Sequence, residues 1–213
     1  MSKLRFSISM SLDGFTAGPA QSVAEPLGIG GTRLHEWLFR LASWRRVHGL
    51  EGGDASESDA VLEESIANVG ATVMGRNMFG GHPGPWSPED PWTGWWGDAP
   101  PFRHPVFVLT HHPREPLVLA GTTFHFVTEG IEAALERARH AAGGADVALA
   151  GGAYVAQQYL AAGLADEMWL HVVPILLGSG ERLFHGVGDD LRGLELDRTI
   201  ATLQVTHFHF VRR

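Results

Sequence analysis

The stretch Val147-Ala-Leu-Ala150, Gly151-Gly152, Ala153-Tyr-Val-Ala-Gln-Gln-Tyr-Leu-Ala-Ala162, Gly163, followed by Met168-Trp-Leu-His-Val-Val-Pro-Ile-Leu-Leu177, decides the fold. A short apolar run ends at two glycines, a helix-forming segment follows and closes on a third glycine, and a second apolar run begins. Strand, tight turn, helix and strand make a βαβ unit, whose right-handed crossover predicts two parallel, neighbouring strands. The class is therefore α/β.

Working outward, Leu4, Phe6, Ile8 and Met10 alternate with Lys3, Arg5, Ser7 and Ser9, the period-two pattern of a strand with one face more buried than the other, ending at Asp13-Gly14. Leu34, Trp37, Leu38 and Leu41 recur at three- and four-residue steps and predict an amphipathic helix. Gly49 to Ser58 reads as a polar loop. A helix opening at Ser58, with Val61, Leu62, Ile66 and Val69 on one side, leads to a strand over Ala71 to Met74 closed by Gly75-Arg76. Pro105 to Thr110 and Thr123 to Val127 read as strands, and Ile131 to Ala142 as a helix stopped by Gly143-Gly144. Leu194 to Leu196 and Thr202 to Val211 are strand-like with no helix between them, which predicts an antiparallel C-terminal edge. Between Gly81 and Pro101 lie six of the 12 prolines and four of the seven tryptophans, which blocks regular structure and leaves two readings: a Trp-packed surface excursion or a wall over a pocket.

The 213 residues suit one domain, 1–213, with loop insertions near 18–57 and 79–104. Lys and Arg total 16 against 24 Asp and Glu, and the net charge of −8 repels nucleic-acid backbones and anionic membranes. The chain has no cysteine, which excludes disulfides, thiolate nucleophiles and Cys-ligated zinc and is compatible with a reducing cytosol. Met168 to Leu177, the longest apolar run, falls short of the roughly 20 residues a bilayer span needs, and nothing near the start resembles an export signal. The expectation is a cytoplasmic protein that acts on a small molecule, without nucleic-acid or membrane partners.

Three strand ends carry groups that suit a phosphorylated ligand. Gly151-Gly152, between a buried strand and a helix, lets backbone approach a ligand while the helix dipole favours an anion, although a tight turn alone would also use these glycines. Gly75-Arg76-Asn77 adds a guanidinium that can fork onto phosphate oxygens, and Thr110-His111-His112 ends a third strand. One crevice along the carboxyl edge of the sheet is where open α/β folds bind nucleotides. Neither glycine turn has the G-x-G-x-x-G spacing.

Ser9-Met-Ser-Leu-Asp-Gly14, Val73-Met-Gly-Arg-Asn-Met78, Val106-Phe-Val-Leu-Thr110, the Gly151-Gly152 turn, and Leu164-Ala-Asp-Glu-Met168 running into Pro174-Ile-Leu-Leu-Gly-Ser-Gly-Glu-Arg-Leu-Phe184 together resemble the dihydrofolate reductase-like superfamily. The branch they resemble contains the C-terminal reductase domain of the bifunctional riboflavin-biosynthesis deaminase-reductase. The resemblance implies a three-layer αβα fold with a mostly parallel sheet of about eight strands, NADPH as cofactor, and hydride transfer to a C=N or C=O bond of a heteroaromatic or sugar-bearing substrate. It implies phosphate contacts from Gly75, Arg76, Asn77 and Met78, and Thr110, His111 and His112 beside the adenosine 2′-phosphate. Gly151, Gly152, Ala153 and Tyr154 would lie under the pyrophosphate, and Ser9, Thr16 and Ala17 beside the nicotinamide. Asp13 and Glu181 would face the substrate. Folate-reducing relatives place a carboxylate three residues before a Trp-aromatic pair; here that position is Leu34, with His35 and Glu36 beside it, a departure that points away from folate as substrate and leaves His35 as the candidate catalytic group. Relatives often pair through sheet edges, which implies a homodimer.

Deaminase chemistry is excluded because its zinc signature needs cysteines. No metal site is expected: His207 and His209 share a strand face, His125 lies on another strand and His111-His112 are adjacent, but a divalent ion wants a third ligand, and alternation with Phe208 and Phe210 describes an edge strand with a polar face. The alternative to an enzyme is a non-catalytic nucleotide or small-molecule binding module on the same fold.

Overall fold

The computed structural model of the protein describes residues 2–89, 91–189 and 191–213. In chain order its elements are β1 (Leu4–Ser11), β2 (Phe15–Ala17), a 3-10 turn (Gly31–Leu34), α1 (Ala42–Val47), α2 (Glu57–Ile66), β3 (Val69–Gly75), α3 (Arg76–Phe79), β4 (Val106–Leu109), β5 (Leu117–Leu119), β6 (Thr122–Val127), α4 (Ile131–Ala141), β7 (Asp146–Gly151), α5 (Ala153–Ala161), β8 (Glu167–Val173), β9 (Glu181–Arg182), β10 (Leu194–Ala201) and β11 (Thr206–Arg212). Nine strands form one sheet in the order β10-β11-β8-β1-β7-β3-β4-β6-β5. The run from β8 to β6 is parallel, while β10, β11 and β5 are antiparallel. β2 and β9 make a separate two-stranded ribbon.

The α/β class and the antiparallel C-terminal hairpin are as expected, but the adjacency of the βαβ strands is not. β7 and β8 are parallel without being neighbours, because β1 lies between them, paired to both. The crossover through α5 passes over one strand, and β1 becomes the centre of the sheet.

Strand alternation separates two faces. One carries Leu4, Phe6, Ala71, Val73, Phe107, Val147, Leu149, Met168 and Leu170, and packs on Ala134, Leu135 and Ala138 of α4 and Val155, Ala156, Tyr159 and Leu160 of α5 in a single apolar core. The other carries Arg5, Ser7, Ser9 and Ser11 in register with Glu167, Trp169, His171 and Val173. That face is also covered, by α2 and the turns after the 3-10 segment, so β1 is buried on both sides and its polar residues pair internally. Arg5 donates to Glu167 (2.8 Å) and to the carbonyls of Glu64 and Ala67, which holds the end of α2 against the sheet.

Three readings of this covering layer need correction. Leu34 to Leu41 is a 3-10 turn followed by further turns, not an amphipathic α-helix, although Leu34, Trp37 and Leu41 do share one buried cluster with Val173 and Val205. Successive tight turns bring residues three and four apart onto one side as a helix does. The second helix is capped by the Ser56 hydroxyl, which accepts from the Asp59 N–H; Ser58 and Asp59 sit buried in its first turn, Ser58 bonded to His207 of β11 and Asp59 accepting from the N–H and hydroxyl of Ser43 on α1, while Ile66 is exposed. β11 is not the edge, since β10 lies outside it; His207 and His209 are buried and not on a solvated face.

Residues 81–101 form no strand or helix among those described. Their tryptophans are bolted to the rest of the fold by indole N–H groups: Trp86 donates to the His112 carbonyl, Trp92 to Phe79 and Trp95 to Met78, at 2.8, 2.8 and 2.9 Å. Phe79, Phe124 and Trp86 continue this aromatic packing onto the sheet.

Candidate active site

β7, β3 and β4 are consecutive in the sheet and parallel, so Gly151-Gly152, Gly75-Arg76 and Thr110-His112 emerge side by side at one edge. A side-chain carbon on Gly75 would stand 2.7 Å from Val155 Cγ2 and 3.7 Å from the Gly151 carbonyl oxygen, so this glycine permits the close approach of β3 to the β7–α5 turn. Gly151 has φ +112° and sits beside the Met78 sulfur, and the peptide that joins it to Gly152 is cis. The space above Gly152 is open: among the described residues other than its chain neighbours, nothing lies within 4 Å of where a Cβ would stand. Gly152 caps α5 without a side chain, and Ala153 is buried while Tyr154 is 69% exposed. An open glycine surface over the uncapped first turn of a nine-residue helix fits a pyrophosphate.

Arg76 lies at this edge with Asn77 exposed and Met78 half-buried beside it. Its guanidinium carbon is 3.3 Å from the centre of the Trp86 ring, and it donates to the carbonyls of Gly80 and His82. Burial and the nearby Arg114 guanidinium push its pKa down to about 10, so it stays cationic at neutral pH. Thr110 is buried, and its hydroxyl accepts from the His112 N–H at 3.1 Å; His111 is exposed.

Ser9, Thr16 and Ala17 are buried near the end of β1 and on β2. Ser9 accepts from the Trp37 indole at 3.2 Å, and the Thr16 hydroxyl donates to the Glu181 carbonyl at 3.3 Å. Glu181 itself is exposed on β9. Asp13 accepts from the Ser11 hydroxyl (2.6 Å) and from the N–H groups of Leu177 (3.1 Å) and Gly178 (2.7 Å), which clasp the loop after β8 to the turn after β1. These bonds, Ser11 first, hold its carboxyl at about 2. His35 does not join Asp13 and Glu181 in a common contact: it follows the 3-10 turn, stacks on Phe39, and has a buried Nδ1 with no hydrogen-bond partner among the described residues. Burial lowers its pKa.

Two features were not singled out as site residues from the sequence. Arg114 lies two residues past His112, with its guanidinium carbon 4.7 Å from the Trp86 ring centre and 5.1 Å from that of Phe126. Its place next to Thr110-His111-His112 was the available signal. The second is a buried chain of hydrogen bonds, Ser7 Oγ to His171 Nε2 (3.0 Å), His171 Nδ1 to His207 Nδ1 (2.7 Å), and His207 Nε2 to Ser58 Oγ (2.9 Å). Two Nδ1 atoms at that distance share one proton, one donating and the other accepting. Trp37 packs over both rings, with centroids 4.9 and 5.1 Å away. Burial pushes His207 down to about 4, and burial, then His207 and His35, hold His171 well below its usual value, so both imidazoles are neutral at pH 7.

The mostly parallel sheet, covered on both faces and finished by an antiparallel C-terminal hairpin, has the dihydrofolate reductase-like α/β fold. Within it, the chain belongs to the family of the RibD C-terminal domain, which matches residues 2–208. The crystal structure of a putative riboflavin biosynthesis protein from Shewanella sp. PV-4 is similar over 100% of this chain and 99% of its own, with TM-score 0.62 and 21% identity. The Thermotoga maritima diaminohydroxyphosphoribosylaminopyrimidine deaminase/5-amino-6-(5-phosphoribosylamino)uracil reductase has TM-score 0.56 and 11% identity, and the likeness covers all of this chain and 57% of that one. Dihydrofolate reductase from Enterococcus faecalis, complexed with NADP(H) and RAB-propyl, matches at TM-score 0.51 and 12% identity over 99% of this chain and 96% of its own. By sequence, the uncharacterized protein YwjB of Bacillus subtilis (strain 168) is 32% identical over 87 residues, which span 41% of this chain and about half (49%) of that relative. The fold is thus of reductase type, and no helix of the described residues is long and apolar enough to cross a membrane.

Proposed function

We propose that the protein is an NADPH-dependent reductase of a small heteroaromatic or sugar-bearing molecule. The observation that carries this reading is the meeting of Gly75-Arg76, Thr110-His112 and Gly151-Gly152 at three consecutive strand ends, with open space above Gly152. NADP(H) is bound by the Enterococcus faecalis dihydrofolate reductase, whose fold this chain shares.

When bound, the cofactor supplies the hydride to a C=N or C=O bond. The chain holds and orients it. Gly151, Gly152, Ala153 and Tyr154 receive the pyrophosphate, Gly75, Arg76, Asn77 and Met78 line the adjoining wall, and Thr110, His111 and His112 flank the adenosine end. Ser9, Thr16 and Ala17 border the nicotinamide, which puts the substrate beyond the end of β1, near Asp13, Glu181 and His35. Asp13, held at about 2 with acceptor bonds to the 177–178 loop, is an anchor for that wall at neutral pH and not a store for the proton the reduced bond needs. One domain, 1–213, acting in the cytoplasm as a homodimer, completes the reading.

The test is a titration of NADPH with the protein, followed by the quenching and blue shift of the nicotinamide fluorescence. Saturable binding supports the reductase. Failure to bind at millimolar cofactor favours a binding module for some other small molecule.

A further inference from the structure

Arg33, Glu36, Trp37 and Arg40 succeed one another at three- and four-residue steps and together line a cleft of about 290 Å³. The rest of its lining comes from the end of β8 with Pro174 and Ile175, and from Gln204 in the turn between β10 and β11. This is not the edge that carries the glycine turns: β8, β10 and β11 stand on one side of β1 in the sheet, and β7, β3 and β4 on the other. His35, stacked on Phe39, takes no part in it. The volume falls just below the ~300 to 1,000 Å³ of pockets that hold drug-sized ligands, so the occupant is small.

Trp37 is buried, and its indole N–H is committed to Ser9, which leaves carbon surface of the ring for the cleft. With Pro174 and Ile175 it suits an apolar or aromatic group. The polar lining carries both signs of charge. Arg33 and Glu36 do not pair with each other, and among the described residues their side chains, like that of Gln204, make no hydrogen bond or ion pair. Arg40 is partly neutralised by Asp54 at 3.2 Å, both groups being more than half exposed. A lone anion would meet the Glu36 carboxylate here and a lone cation the Arg33 guanidinium, whereas a molecule with both charges on neighbouring atoms matches the pair.

We propose that this cleft binds a small zwitterion of the α-amino acid class with an apolar side chain. Its carboxylate lies on Arg33, its ammonium on Glu36 and its side chain against Trp37 and Pro174. The site is separate from the cofactor cleft and does not rest on the reductase reading.

The probes are L-phenylalanine, phenylpropionate, which lacks the ammonium, and phenethylamine, which lacks the carboxylate. Each is titrated into the isotope-labelled full chain while the assigned N–H signals are followed by NMR. L-Phenylalanine should shift the Trp37 indole and the Ile175 and Gln204 amides saturably, in the millimolar range, and leave Gly151 and Gly152 unmoved. Both truncated probes should bind at least about fivefold more weakly. Arg33→Gln and Glu36→Gln, at exposed positions, each remove one charge and keep the shape. Arg33→Gln should weaken L-phenylalanine and phenylpropionate while leaving phenethylamine unchanged or tighter; Glu36→Gln should weaken L-phenylalanine and phenethylamine while leaving phenylpropionate unchanged or tighter. Three probes that bind alike, losses that do not follow the charge removed, shifts confined to Gly151 and its neighbours, or no saturable shift up to about 20 mM would each overturn the proposal.

Discussion

Acidification tests the buried His171–His207 pair. An imidazole free in the unfolded chain titrates near 6.5, while His207 in the folded protein titrates at about 4. Between those values the unfolded state binds more protons, so stability falls as pH falls from about 6.5 toward 4 and is flat from this source above 6.5. For His207 alone the loss between pH 6.5 and 5 comes to about 1.5 kcal/mol, approaching a total of about 3 kcal/mol once pH is below 4. His171, His35, His104 and His125 are shifted in the same direction and add to the slope, whereas Glu167 and Asp13, shifted down, lose their contribution only at lower pH. Urea unfolding midpoints at pH 8, 6.5, 5.5 and 5 measure the effect, with His207→Gln as the control that keeps a hydrogen-bonding side chain and cannot titrate. The variant should be less stable at pH 8 and show a shallower loss from pH 6.5 to 5. If wild type and variant lose stability in parallel across that window, the pair is not held neutral by burial and the reasoning fails.

Other outcomes follow from the cleft. Arg76→Ala should weaken NADPH by about 1.5 to 3 kcal/mol, the scale of a charged hydrogen bond, and an unchanged dissociation constant counts against its phosphate role. Gly75→Ala forces a methyl to within 2.7 Å of Val155 Cγ2 and should cost about 1 to 3 kcal/mol in thermal unfolding, together with a loss of cofactor binding; full stability would show that β3 and α5 are not so close. Trp95→Ala removes the indole that donates to Met78, so NADPH affinity should fall while sedimentation mass stays the same; the opposite pattern would make the tryptophan loop a dimer contact.

What the sequence disclosed and what it hid differ by the range of the interactions. β3, β4, β6 and β7 were legible because buried parallel strands read as apolar runs bounded by glycine, proline and polar residues. β5, a three-residue strand directly after Glu115-Pro116, has too little pattern to stand out. The insertion of β1 between β7 and β8 depends on pairing across more than 140 residues, which no local period encodes. The same limit applies within the site. Gly75, Arg76, Thr110 and Gly151 could be named because each sits at a strand end, and their convergence needed only the parallel sheet. The histidine pair could not, since alternation put His207 and His209 on one face but the partner, His171, comes from β8 and the hydroxyls from β1 and α2. Arg114 escaped because its meaning comes from Trp86, folded back from the loop against it.

The most direct measurement of the proposed dinucleotide cradle is NADPH affinity in Gly152→Ala. Gly152 has φ −70°, and among the described residues other than its chain neighbours nothing lies within 4 Å of where a Cβ would stand, so the protein itself accommodates the added methyl and a ligand on that surface would meet it. The account predicts an unchanged melting temperature and NADPH binding at least about tenfold weaker than wild type. Equal affinity in the two proteins, at equal stability, would contradict it.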